Sequence, residues 1–303
     1  MQVSNKPITI KNIIYIFLPL LLAITIQYVT VFADVLIIFF TNLLSDETTE
    51  STRTISEIMS QAFEQPMNQA YISLAQYVLY LIFFGLWYYR GFCNTTSDGI
   101  NSSKDKITLT GVVLSSFKRG IRSITRLISL IIAGISGQFL VDSILALARP
   151  IFVQAFEEYD KLVANVTGAS ASFVMWFTVI VIAPIAEEIL FRGLILKYSG
   201  KCLLTPLAII FQAVLFGLYH GNVIQGLYAF VLGSVLGVIA CSSGSLIPGM
   251  IFHIALNASL LIVPELLFNT PTSTIVTGVV SLIIFFICIF GILFRTNKNK
   301  NII

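Results

Sequence analysis

Charge is what this chain has least of: Asp, Glu, Lys and Arg make up 11% of its 303 residues, and hydrophobic residues 56%. An ordinary soluble domain is about 25% charged. A soluble protein of this length needs charge over its whole surface, whereas here the charges lie in short stretches between long apolar runs. That excludes a soluble globular fold and makes lipid the solvent for most of the chain. Histidine is scarcer still, with His220 and His253 alone. The four cysteines, Cys93, Cys202, Cys241 and Cys288, are widely spaced with no CxxC pair, and they read as packing residues. There is no HExxH, which leaves out a soluble-type zinc peptidase helix, and no GxSxG or His/Asp pair to support a serine protease. A net charge of +3, spread over membrane flanks rather than one patch, excludes a nucleic-acid partner. Internal repeats, low-complexity tails and a soluble domain are also missing.

What is present is a series of apolar runs. A spanning helix needs ~20 mostly apolar residues, and the sequence offers eight: Ile13–Phe40, Ala70–Tyr89, Ile124–Ala148, Phe173–Leu196, Leu203–Tyr219, Val223–Cys241, Leu246–Leu267 and Ile275–Phe294. The first is too long for a signal-peptide core and lacks a small-residue cleavage site, so it is expected to remain as a tilted or protruding helix. The fold class is therefore an all-α polytopic transmembrane bundle of about eight spanning helices. Short connections near Gly200, at His220 to Asn222 and at Ser242 to Gly244 make helices four to seven one antiparallel meander. Three parts follow: 1–172 with helices one to three, a core at 173–267, and 268–303 with the last helix and a basic tail.

Numbering the connections alternately segregates the charge. One side receives Lys6, Lys11, Arg90, Lys104, Lys106, Lys118, Arg119, Arg122, Arg126, Lys197, Lys201, Arg295, Lys298 and Lys300. The other receives Asp46, Glu47, Glu50, Glu57, Glu64, Glu157, Glu158 and Asp160. Because cytoplasmic loops retain Lys and Arg, both termini are expected in the cytoplasm. Usage rich in Ile, Asn and Lys suggests a bacterial plasma membrane. The stretch from Asn94 to Lys106 reads as a polar cytoplasmic loop.

Ionisable groups inside a spanning helix oppose insertion by about 2.5–3.5 kcal/mol each, so a helix that keeps three of them needs a reason. The fourth run keeps Glu187, Glu188 and Arg192. Glu188 and Arg192 stand four apart on one helix face, so Arg192 can hold Glu188 and leave Glu187, one step around, free. A free carboxylate beside another at that depth gains basicity by desolvation, which suits a general base acting on water. Alternatively, the triplet is an ion pair pinning two helices, or a helix end at the headgroups. Both histidines fall in the hairpins that follow: Phe216 lies one turn before His220, and His253 one turn before Asn257. They can serve as donors to a developing oxyanion or, with Glu187, as ligands for a metal such as Zn²⁺. Depth is a difficulty. His220 lies about seven residues farther from the Gly200 turn than Glu187, or ~10 Å, and a tilt or a break at Gly217 and Gly221 is needed to level them. Asp34 and Asp142, near the outer ends of their helices, are assigned no chemistry.

The ordered pieces EEILFR, FGLYH and HIALN, on successive apolar helices, resemble the CAAX-processing and bacteriocin-processing family of intramembrane proteases. The resemblance covers roughly Phe173 to Leu267. It implies that Glu187 with His220 activates the attacking water, that His253 and Asn257 stabilise the oxyanion, and that Glu188 and Arg192 hold Glu187 in place. It also implies a membrane-associated protein or peptide substrate, which in eukaryotic members is cleaved after a prenylated Cys, and it leaves open a metal at Glu187, His220 and His253. The expected activity is peptide-bond hydrolysis in a cavity open to the cytoplasm. Two other classes compete: a non-catalytic bacteriocin-immunity or scaffold protein of the same fold, and a transporter with Glu187 as proton relay. For the transporter the sequence offers neither repeats nor broken helices in both halves.

Overall fold

The computed structural model describes residues 10–44, 66–93, 114–115, 117–118, 120–121, 123–168, 171–262 and 264–297. The Asn94 to Lys106 loop and most of the charged connections lie outside them. Among the described residues the regular structure is helical. In chain order the helices are α1 (Ile10–Leu44), α2 (Pro66–Tyr88, continuing into a wider turn at Tyr89–Cys93) and α3 (Ile124–Ala148). Next come α4 (Val153–Thr167), α5 (Phe173–Ser199) and α6 (Thr205–Tyr219). The last three are α7 (Val223–Ser243), α8 (Ile247–Ser259) and α9 (Pro271–Asn297). Six of them, α1, α2, α3, α5, α7 and α9, are long and apolar enough to cross a membrane. The protein is an integral membrane helical bundle.

Two of the eight expected spans come out short. Helices α6 and α8 have 15 and 13 residues, or about 22 and 20 Å at 1.5 Å per residue, against a hydrocarbon core of about 30 Å. The run Leu246–Leu267 is not one helix: α8 stops at Ser259, and Pro264, which lacks an N–H, precedes a single 3₁₀ turn at Glu265–Phe268. A second difference is α4, which occupies a stretch read from the sequence only as a connection. One side of this helix is apolar, with Phe156 and Tyr159 buried against Ile224 and Tyr228 of α7. Arg149 pairs with Asp160, its Nη2 donating to Oδ1 at 2.9 Å, and Trp176 Nε1 donates to the Val166 carbonyl at 2.7 Å, so α4 is tied down at its middle and at its C-terminal end.

Helix ends follow local chemistry. Ser123, Ser172 and Asn222 accept a backbone N–H three residues on and start α3, α5 and α7, while Gly244 in the left-handed conformation ends α7. Small residues set the closest approaches. An added Cβ on Gly134 of α3 would stand 2.5 Å from the Phe252 carbonyl of α8, and one on Gly217 of α6 would stand 2.6 Å from the Gly226 carbonyl of α7. Helix α9 runs antiparallel to α3, with Gly278 against Ser143 and Phe285 against Gly137. At the far end of the bundle Tyr15 stacks on Tyr198, and Trp87 Nε1 donates to the Tyr198 hydroxyl at 2.8 Å. The start of α1 and the end of α9 therefore share the face that carries Lys197 and Lys201. Cys202, Cys241 and Cys288 pack against apolar clusters.

Candidate active site

Helix α5 is not uniformly wound. At Thr178–Ile182 and again at Glu188–Ile195 it opens into π-type turns, with Pro184 between them, a residue that has no N–H and crowds the carbonyl four back. Such widenings recur at functional sites. The helical face that the sequence implied for Glu188 and Arg192 is thus a π-wound one, and the contact survives the change. Arg192 Nη1 donates to Glu188 Oε1 at 2.8 Å, with both side chains 0% exposed. Arg192 Nη2 also donates to the Gly233 carbonyl of α7 at 3.1 Å, and its guanidinium carbon lies 4.4 Å from the centre of the Phe216 ring. The charge is met by a carboxylate, a carbonyl and an aromatic face.

Glu187 points elsewhere. Its Oε1 accepts from the Tyr77 hydroxyl at 2.9 Å, and its Oε2 lies 3.8 Å from His253 Nε2. The other ring nitrogen, Nδ1, lies 3.5 Å from Glu188 Oε1, so the imidazole of α8 stands between the two carboxylates of α5. Space beside them is limited: a Cβ on Gly249, one turn before His253, would come 2.6 Å from Glu188 Oε2.

His220 follows the last residue of α6 and precedes Gly221, whose φ of +68° makes the turn. Its Nδ1 lies 2.7 Å from the Phe216 carbonyl. A carbonyl only accepts, so Nδ1 carries the proton, and in the neutral form of the ring Nε2 presents the lone pair. Phe216 stands edge-on to both imidazoles, with centroids 4.7 Å from His220 and 6.0 Å from His253. Asn257 Nδ2 donates to the Val179 carbonyl, in the first π-wound stretch, at 2.8 Å; its second N–H is not used by that bond. Glu187, His220, His253 and Asn257 all line one cavity of about 400 Å³, while Glu188 and Arg192 sit behind its wall. A more open groove, lined by Tyr15, Trp87, Arg90 and Lys201, lies at the opposite end of the bundle from these groups.

Among the described residues, no three His, Cys, Asp or Glu groups stand close enough together to hold a metal ion. As arranged, Glu187, His220 and His253 do not form a coordination shell.

Sequence reasoning missed several contributors. Tyr77 is the direct partner of Glu187. Near it, Gln76 Nε2 donates to the Tyr80 hydroxyl at 3.0 Å, and the Tyr219 hydroxyl donates to that of Tyr80 at 3.1 Å. The signal was available: Gln69, Ser73, Gln76, Tyr77 and Tyr80 form a polar stripe at helical spacing along one face of an otherwise apolar span. Gln212, fully buried, donates to the same Gly233 carbonyl at 2.8 Å. Gln138, which donates to Asp142 at 2.8 Å, also lines the cavity, together with Tyr159 and Tyr228.

Comparison with protein families places this geometry. Residues 169–259 match the family described as type II CAAX prenyl endopeptidase, Rce1-like. Through this segment the chain is similar to the CAAX-protease family. The matched segment takes in α5 to α8 and so contains both carboxylates, Arg192, both histidines and Asn257; Tyr77, on α2, lies outside it. Neither curated proteins nor solved structures give a match.

The Tyr77 hydroxyl donates a direct hydrogen bond to Glu187. Hydrogen bonds to charged groups contribute about 1.5–3 kcal/mol, and Tyr77→Phe keeps the ring. We expect it to lower kcat by roughly tenfold to a hundredfold while leaving yield and melting temperature of the detergent-purified protein nearly unchanged. A purely structural role would move the melting temperature and leave kcat alone.

Proposed function

We propose that this protein is an intramembrane endopeptidase that hydrolyses peptide bonds of a membrane-associated protein or peptide with water activated by Glu187. The observation that carries the reading is the placement of Glu187. Of the two adjacent carboxylates, one is consumed by Arg192 and lies behind the wall, and the other borders the cavity beside Tyr77 and His253.

In this mechanism a water in the cavity gives a proton to Glu187, with the lone pair of His220 Nε2 as a second acceptor, while its oxygen attacks the scissile carbonyl carbon. The carbonyl π electrons move to oxygen. His253 and the unused N–H of Asn257 face the cavity and supply hydrogen bonds to that oxyanion. Collapse re-forms the carbonyl and breaks the C–N bond, and the proton held by Glu187 passes to the departing amine. Glu188 and Arg192 touch no reacting atom; they position Glu187 and His253.

Two experiments test this. Glu187→Gln keeps the volume and removes the base, so cleavage by the purified variant in a peptide library should fall about 10²–10⁴-fold; undiminished cleavage rejects the mechanism. Exhaustive chelation of the wild-type protein should leave cleavage intact. Loss of activity restored by Zn²⁺ would instead show that Glu187, His220 and His253 draw together around an ion.

A further inference from the structure

The cavity has a direction. Its lining residues come from the Gln69 end of α2, the Met175 end of α5 and the Tyr219 end of α6. The Gln225 end of α7, the Leu260 end of α8, and Asn165 and Thr167 of α4 complete the wall. Every one of these ends lies away from the Lys197 and Lys201 face. On that other side of the carboxylates the bundle is shut: Leu190, Phe191, Leu194 and Ile195 are all 0% exposed, and Arg192 is 1% exposed. A chain approaching from the face of Lys197 meets packed side chains.

The end to which the cavity opens is poor in cations. In the sequence, the segments that join the helix ends on this side, α4 included, hold Arg53, Arg149 and Lys161 against Asp46, Glu47, Glu50, Glu57, Glu64, Glu157, Glu158, Asp160 and Glu265. In the sequence, cations concentrate in the segments that join the opposite helix ends, and Lys and Arg mark the cytoplasmic side. Two sequence expectations, cytoplasmic termini and a cytoplasm-facing cavity, therefore cannot hold together. The described helices keep the start of α1 and the end of α9 on the Lys197 face and put the cavity mouth on the other.

We propose that the site receives its substrate from the extracytoplasmic side, an inference that rests on the hydrolase reading for the word substrate and on the helix directions for the side. The substrate class follows: a polypeptide that has been exported, or that is anchored with its scissile segment outside, rather than one tethered at the cytoplasmic surface. The wall suits an extended main chain. Gln27, Gln69, Gln76, Gln138 and Gln225 line it, and a primary amide both donates and accepts, as each peptide unit does. Helix α4 forms part of the rim, so a substrate passes alongside it to reach Glu187.

The test does not need a known substrate. In the full-length protein with Cys93, Cys202, Cys241 and Cys288 replaced by Ala, single cysteines are placed as Ser73→Cys in the cavity wall, Thr167→Cys at the rim and Lys201→Cys at the opposite end. A small, charged, membrane-impermeant methanethiosulfonate is applied to right-side-out and to inverted vesicles, for variants that accumulate normally. Ser73→Cys and Thr167→Cys should react in right-side-out vesicles and Lys201→Cys in inverted ones. The reverse pattern, or reaction of Ser73→Cys in inverted vesicles or in neither preparation, overturns the proposal. Labelling requires no cleavage, so this outcome stands apart from the fate of Glu187→Gln.

Discussion

The architecture depends on one buried ion pair. Glu188 and Arg192 meet at 2.8 Å with no exposure to solvent, in a part of the protein where removing two charges from water costs several kcal/mol each. Their mutual attraction offsets that cost only because other groups join in: the Gly233 carbonyl on Arg192, the Phe216 ring beneath its guanidinium, and His253 Nδ1 at 3.5 Å from the carboxylate. Those groups come from α6, α7 and α8. The pair therefore fixes α5 against three other helices, and with α5 fixed, its neighbouring residue Glu187 is committed to the cavity.

The irregularities of the bundle serve the same arrangement. Straight spans of full length would leave polar groups stranded at different depths. Instead α6 ends at Tyr219, so that His220 caps it and turns through Gly221, and α8 ends less than two turns beyond His253, at Ser259. The π-wound turns of α5 supply the Val179 carbonyl that anchors Asn257. Non-helical backbone at membrane depth is tolerated where it is enclosed by protein or lines a cavity, which is where these breaks occur. The amphipathic α4 then lies along the cavity mouth, held by Arg149 with Asp160 and by Trp176.

Much of this was readable in the residues. Apolar runs located all the long helices, because lipid demands continuous hydrophobicity, and four-residue spacing disclosed the Glu188–Arg192 contact. Helix length was not readable for α8: Leu246–Leu267 is mostly apolar, and hydropathy does not register a stop made by Pro264 and a turn. The α4 helix was missed because 15 mixed residues fall below any spanning template. Tyr77 was missed because it sits 110 residues before Glu187, and only tertiary packing joins them. The direction of the cavity needed both sources at once, charge placement from the sequence and lining residues from the fold.

The most direct measurement of the central claim is a double-mutant cycle on the pair, using Glu188→Gln, Arg192→Met and their combination, with stability read from thermal unfolding of the purified protein in detergent. Removing one partner of a buried pair leaves the other uncompensated and costs about 3–5 kcal/mol. Each single change should destabilise to that extent, and the combination by far less than the two together. Additive losses would mean that the two side chains act independently, and would contradict the account.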